Sequence, residues 1–137
     1  MKGIDTERLR LEPLVCGHAK EMYRGLVSKE LYEFIADIPP TSIKTLEQRY
    51  RGLEQRQSPD GSEIWLNWAV QVIEDLRLIG YVQSTISQSD VQIGYVFFRE
   101  AWGFGYGIEA VDAVLKYLDE TYSCPEIRAT VDTKNAR

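Results

Sequence analysis

The sequence predicts an α/β fold of the α+β kind, a mixed and mostly antiparallel central sheet flanked by helices. Two observations point there. Apolar residues alternate with period 2 in some stretches and return every three to four residues in others, giving the order β, α, α, β, β, β, α, β. The three central strands are joined by connections of only a few residues, which allow antiparallel neighbours alone.

Residues 6–14 alternate Leu9 and Leu11 against Arg8, Arg10 and Glu12, a half-buried strand that Pro13 stops. Residues 17–27 carry Ala19, Met22, Tyr23, Leu26 and Val27 at helical spacing. Pro39 and Pro40 then break any helix, and Thr41 or Ser42 caps the next, whose apolar face is Ile43, Leu46, Tyr50 and Leu53. After the turn-rich "SPDGS" the period changes. Residues 64–73 alternate Ile64, Leu66, Trp68, Val70 and Val72 with Trp65, Asn67, Ala69, Gln71 and Ile73; "LIGYVQSTI" (78–86) and "VQIGYVFF" (91–98) complete a meander. "AWGFGYGIEA" (101–110) opens a helix with Ile108, Val111, Val114, Leu115 and Leu118 on its buried face. Beyond Pro125, "EIRATVD" (126–132) is the last expected strand.

With 137 residues, 44% hydrophobic and 27% charged, the chain has the size and make-up of one soluble domain, 1–137. A formal charge of −5 argues against nucleic acid as a partner, since binding it calls for a basic surplus. No apolar run approaches the roughly 18 residues of a membrane helix, and the N-terminus lacks a signal-peptide core, so the expectation is a cytoplasmic protein with no membrane partner. Cys16 and Cys124 are expected as buried thiols, and His18, the only histidine, as a solvated side chain. A structural zinc site needs four ligands, so no metal is expected.

Gly103, Gly105 and Gly107 stand at alternate positions between a strand and a helix. One explanation is a tight connection, but that needs only one or two glycines. A dinucleotide fingerprint is disfavoured because Ile108 stands where G-x-G-x-x-G requires glycine or alanine, and because hairpin-linked strands precede it instead of a βαβ unit. No G-K-[ST] follows, which removes the P-loop. A third explanation is an anion seat: first-turn N–H groups carry the positive end of the helix dipole, and bare backbone lets a diphosphate approach them.

These residues resemble a known family. "IGYVFFREAWGFGYGIEAV" is similar to motif A of the GNAT superfamily of N-acetyltransferases, R/Q-x-x-G-x-G/A, with Trp102, Gly105 and Gly107 at its marked positions. "TERLRLEPL" resembles the first strand of the branch that acetylates ribosomal-protein N-termini, "LIGYVQSTI" its third strand, and "EIRATVDTKNAR" its fifth strand with the asparagine after it. The resemblance implies acetyl-CoA as co-substrate and an amine acceptor: a protein N-terminus, an aminoglycoside, a polyamine or another small molecule. The acidic surplus favours a cationic acceptor. It also implies that Tyr95, Val96 and Phe97 pair by main chain with the pantetheine arm. Trp102, Gly103, Phe104, Gly105, Tyr106, Gly107 and Ile108 would hold the pyrophosphate, and Asn135 would contact the pantetheine or adenylate side. A valine at 105 or 107 is then expected to abolish binding while leaving the free protein folded.

The sequence departs from the family pattern in several places. Trp102 replaces Arg or Gln and is either a packing wall beside the ligand or a core tryptophan. Arg99 replaces the usual proline; a solvated surface arginine is favoured over a cation beside the phosphates. Gln92 stands where many relatives have glutamate and cannot serve as the base that takes the amine proton. Asp90, Glu63 and Asp132 remain, with a water relay as the alternative, and backbone N–H groups near the strand splay are expected to stabilise the oxyanion. The family's final helix, with its acidic tyrosine, and its last two strands have no counterpart. The expectation is a C-terminally incomplete domain whose fifth strand is an exposed edge, covered in a homodimer. A non-catalytic, coenzyme-binding or dimerising remnant is the rival to an active enzyme.

Overall fold

The computed structural model describes residues 1–27, 39–88 and 90–122, and the backbone of 128–129. One sheet runs in the order β1 (Ile4–Asp5), β2 (Leu9–Pro13), β3 (Ile64–Val72), β4 (Leu78–Ile86), β5 (Val91–Phe97) and β6 (Arg128–Ala129). Neighbours are antiparallel through β5, and β6 lies parallel to β5. α1 (Ala19–Leu26) and α2 (Ile43–Leu53) cover one face, and α3 (Tyr106–Tyr122) covers the other.

Alternation along β3 explains why both faces are apolar. Leu66, Trp68, Val70 and Val72 point to the α3 side, where Trp68 is fully buried beneath Ala110, Val114 and Leu118. Ala69 points the other way, with Tyr81 and Val96 beside it in register, under Met22, Leu26, Leu46 and Tyr50. Each such large side chain contributes about 1.5–3 kcal/mol by leaving water. A register shift between Val70 and Gln71 interrupts the β3–β4 ladder opposite Gly80.

Several local expectations need correction. A short strand, β1, precedes the first expected one; Arg8 falls in the turn between β1 and β2, and Pro13 is the last strand residue instead of the stop. Val27, Ile43 and Ile108, placed on apolar faces by spacing, are 40%, 38% and 63% exposed. The buried stripe of α3 runs through Gly107, Ala110, Val114 and Leu118, which turns Ile108 outward. His18 is not solvated: Nδ1 accepts the Val15 N–H at 3.0 Å, so the proton sits on Nε2, which meets Glu12 Oε2 at 3.0 Å. Cys16 is half-buried and free, its N–H donating to the Glu54 carboxylate. Cys124 lies outside the described residues, as does most of the last expected strand.

The turns follow their sequences. Ser42 caps α2, accepting the Thr45 N–H at 3.1 Å. Asp60 of "SPDGS" accepts the Ser62 N–H and the Ser62 and Ser58 hydroxyls, and these bonds, the Ser62 N–H foremost, lower its pKa to about 2. Among the described residues no helix is long and apolar enough to cross a membrane.

Candidate functional site

The three alternate glycines have two different physical causes. Gly103 and Gly105 adopt φ of +89° and +77°, where a Cβ is strained. A Cβ at Gly103 would enter open space, whereas one at Gly105 would touch Arg8 Nη2 at 3.6 Å, so the loop is open at Gly103 and lies against the Arg8 side chain at Gly105. Gly107 is different. It lies inside the first turn of α3 and faces the sheet, where a Cβ would come within 3.1 Å of the Tyr95 ring. The expectation that valine at 105 or 107 leaves the fold untouched is therefore corrected: 105 is constrained by backbone conformation, 107 by packing.

The chain leaves β5 through the short turn Arg99–Ala101, passes the loop and enters α3 at Tyr106, with the Glu109 N–H bonded to the Gly105 carbonyl at 3.2 Å. Tyr106, Gly107 and Ile108 thus supply the first-turn amides. Phe104 and Ile108 expose apolar side chains beside them, 56% and 63% accessible, and the Phe104 and Tyr106 rings stack with centroids 5.5 Å apart. Arg99 is exposed in the preceding turn.

The register of β5 assigns its main-chain groups. The Phe98 N–H donates to the Ile79 carbonyl at 2.8 Å, and Tyr81 lies opposite Val96. By antiparallel alternation the amide and carbonyl of Val96 face β4, whereas those of Tyr95 and Phe97 face the outer edge. Trp102 confirms that direction, its Nε1 donating to the Phe97 carbonyl at 2.7 Å. Its ring packs against both apolar clusters, so Trp102 is a half-buried wall that links loop to strand. Among the described residues, pairing of β5 with β6 ends at Ile93, two positions before Tyr95. Strand addition by an arm lying along this edge therefore falls to Tyr95 and Phe97, with Val96 serving through its buried side chain.

On the α1–α2 face the apolar cover ends with Leu53, the last residue of α2. Beyond it lies a polar groove lined by Glu63, Trp65, Asn67, Gln83, Thr85 and Gln92. Asn67 sits opposite Gln83, and Thr85 lies between Trp65 and Gln92 in register. Glu63 is half-buried, its Oε1 accepting the Trp65 Nε1–H at 3.2 Å. Asp90 stands beside the groove, with Gln92 Nε2 3.5 Å from its Oδ2. Asp132 and Asn135 lie outside the described residues.

A network that no sequence pattern announced joins the β1–β2 turn to the loop. Glu109, in the first turn of α3, accepts Arg8 Nε–H at 2.6 Å through Oε1, and the Thr6 hydroxyl at 2.5 Å and the Arg8 N–H at 3.0 Å through Oε2. Partial burial pushes the Glu109 carboxyl up, but the bonds from Thr6 and Arg8 and the Arg8 charge outweigh it and hold the pKa below the ordinary 4.5. Arg8 Nη1 also donates to the Phe104 carbonyl at 2.8 Å. The one local signal was Glu109 itself, an acid in a first helical turn, where the dipole favours it. Among the described residues no cluster of three or more His, Cys, Asp or Glu side chains could hold a metal ion.

The arrangement matches known proteins. The profile of the acetyltransferase (GNAT) domain covers residues 8–137. The GNAT-family acetyltransferase of Bacillus anthracis is 19% identical with a TM-score of 0.72, covering 93% of this chain and 72% of its own. A candidate ribosomal-protein-serine acetyltransferase of Vibrio cholerae is 20% identical with a TM-score of 0.75 and coverages of 97% and 75%. The ribosomal-protein-S5-alanine acetyltransferase of Vibrio fischeri is 14% identical with a TM-score of 0.73 and coverages of 93% and 72%. No curated protein sequence matches significantly. Identities this low establish the fold alone, while the domain profile reaches almost end to end: the chain belongs to the GNAT acetyltransferase domain family.

Proposed function

We propose that the chain transfers the acetyl group of acetyl-CoA to a primary amine by direct attack. The observation that carries this reading is the positive-φ loop at the head of α3, adjoining the outward-facing main chain of Tyr95 and Phe97. On this reading a diphosphate sits on the open side of Gly103, with Arg8 beside Gly105, where the Tyr106, Gly107 and Ile108 amides begin the helix. Phe104 and Trp102 flank the loop, and an arm leaving it meets the β5 edge. When bound, acetyl-CoA supplies an activated thioester.

The polar groove receives the acceptor on this reading. The amine, in its neutral form, bonds through nitrogen to the acetyl carbon, the C–S bond breaks with its electron pair leaving on sulfur as the CoA thiolate, which takes a proton from solvent, and one amine proton leaves. Glu63 is the carboxylate that lines the groove, and it takes that proton directly or through water; Gln92 orients the amine without accepting charge. N–H groups on the outer edge of β5 stabilise the negative charge that develops on the carbonyl oxygen. The acceptor is a cationic primary amine, a class favoured by the formal charge of −5. The protein works in the cytoplasm and pairs with a second copy through the edge beyond β5.

Thiol release from acetyl-CoA with a panel of peptides and small amines tests this. Turnover is expected with at least one amine, together with thermal stabilisation equivalent to about 2.7 kcal/mol at a hundredfold excess of coenzyme over Kd. Stabilisation without turnover on any amine would establish the non-catalytic, coenzyme-binding alternative. No stabilisation would remove the coenzyme.

A further inference from the structure

We propose that Arg8 is the cation of the diphosphate seat, bracing the loop from the β1–β2 turn and presenting Nη2 to the phosphates; this rests on the acetyl-CoA reading above. Trp102, at the start of the glycine loop, brings no charge there. The structure brings a charge to the loop from 96 residues away. Arg8 Nε is bonded to Glu109 at 2.6 Å and Nη1 to the Phe104 carbonyl at 2.8 Å, and the guanidinium carbon lies 4.6 Å from the centroid of the Tyr106 ring. These contacts fix the plane of the group. Nη2 lies beside Gly105, 3.6 Å from where a Cβ would stand, and has no hydrogen-bond partner among the described residues.

Glu109 gives the arrangement its logic. A carboxylate in the first turn of α3 suits the helix dipole but repels an anion docking on the same turn. Arg8 and Thr6 occupy both of its oxygens and draw it toward β2. The guanidinium thereby offsets the like charge and leaves a donor directed at the incoming ligand.

Calorimetric titration of the whole chain with CoA, with 3′-dephospho-CoA and with inorganic pyrophosphate tests the assignment. Arg8→Ala is expected to weaken both coenzyme forms by about tenfold or more, the magnitude of a charge-assisted hydrogen bond. Arg8→Lys, which keeps the charge, recovers part of the loss; Arg8→Gln, which keeps hydrogen bonding alone, recovers none. Thr6→Ala, which removes one of the two groups holding Glu109 and leaves the Arg8 charge in place, weakens binding less than Arg8→Ala does. Wild-type affinity in Arg8→Ala overturns the proposal, as does rescue by Gln equal to that by Lys, or a Thr6→Ala loss matching that of Arg8→Ala. Loss of 3′-dephospho-CoA sensitivity to Arg8→Ala would assign the cation to the 3′-phosphate and overturn it too. A wild-type chain that binds pyrophosphate in an Arg8-dependent way but no CoA keeps the cation and removes the coenzyme; binding of neither overturns both.

Discussion

Toward the C-terminal end of β5 the molecule offers main chain to a ligand: the outer amides and carbonyls of Tyr95 and Phe97, then the bare loop at the head of α3. Toward the N-terminal end it offers side chains, with Gln92 facing Thr85, Gln83 and Asn67 close by, and Glu63 at the rim. The two regions share a strand and differ in what fixes them. Backbone recognition is set by φ values and by the closeness of α3 to Tyr95, so a single added carbon disturbs it. Side-chain recognition is set by residues that point outward from a ladder they do not sustain, so they can change without unfolding the sheet. A constant co-substrate and a variable acceptor suit that division.

Exchanging one residue in each region tests the division. Glu63→Gln should lower kcat by about a hundredfold, the low end for loss of a general base, with CoA affinity unchanged. A parallel loss of CoA affinity in a calorimetric titration would break the separation. Gly107→Val should destabilise the free protein by about 1–3 kcal/mol in urea unfolding, because the added carbons press on the Tyr95 ring. A folded, wild-type-stable Gly107→Val chain would show that α3 can shift. Gly105→Ala, at φ +77°, should cost about 1–2 kcal/mol and weaken CoA, leaving acceptor KM unaltered.

The smallest effect concerns pH. The Glu109 carboxyl titrates below its ordinary value of 4.5 in the folded chain, so its stabilising contribution is complete above that pH and is lost as the pH falls through the folded pKa. Glu109→Gln should flatten the acid limb of thermal stability below pH 4.5, measured as Tm against pH; an unchanged limb would mean that other carboxylates govern it.

How legible each region was follows from the same contrast. The loop is local: its glycines, the strand before it and the helix after it lie within a few residues of one another, so the helix start could be read directly. The meander was legible because short connections leave one topology. The reason for Gly107 was hidden, since Tyr95 and α3 meet only across the sheet. Arg8 was invisible for the same reason. Alternation placed it on the solvent side of a strand, whereas the structure puts it in a turn whose partner is 101 residues away. The groove, too, needed the register: Asn67, Gln83 and Gln92 belong to three strands, and nothing in any one strand marks them as neighbours. His18 shows the converse, a short-range Val15 N–H contact that helical spacing could not express.

The indole of Trp102 gives the molecule a built-in optical gauge. Trp68 is sealed in the core and Trp65 is half-buried in the polar groove, whereas Trp102, also half-buried, donates its N–H to the carbonyl at the end of β5, beside the loop. Light emitted by that ring is sensitive to the polarity around it, so docking at the neighbouring edge should change its colour and brightness without any attached dye.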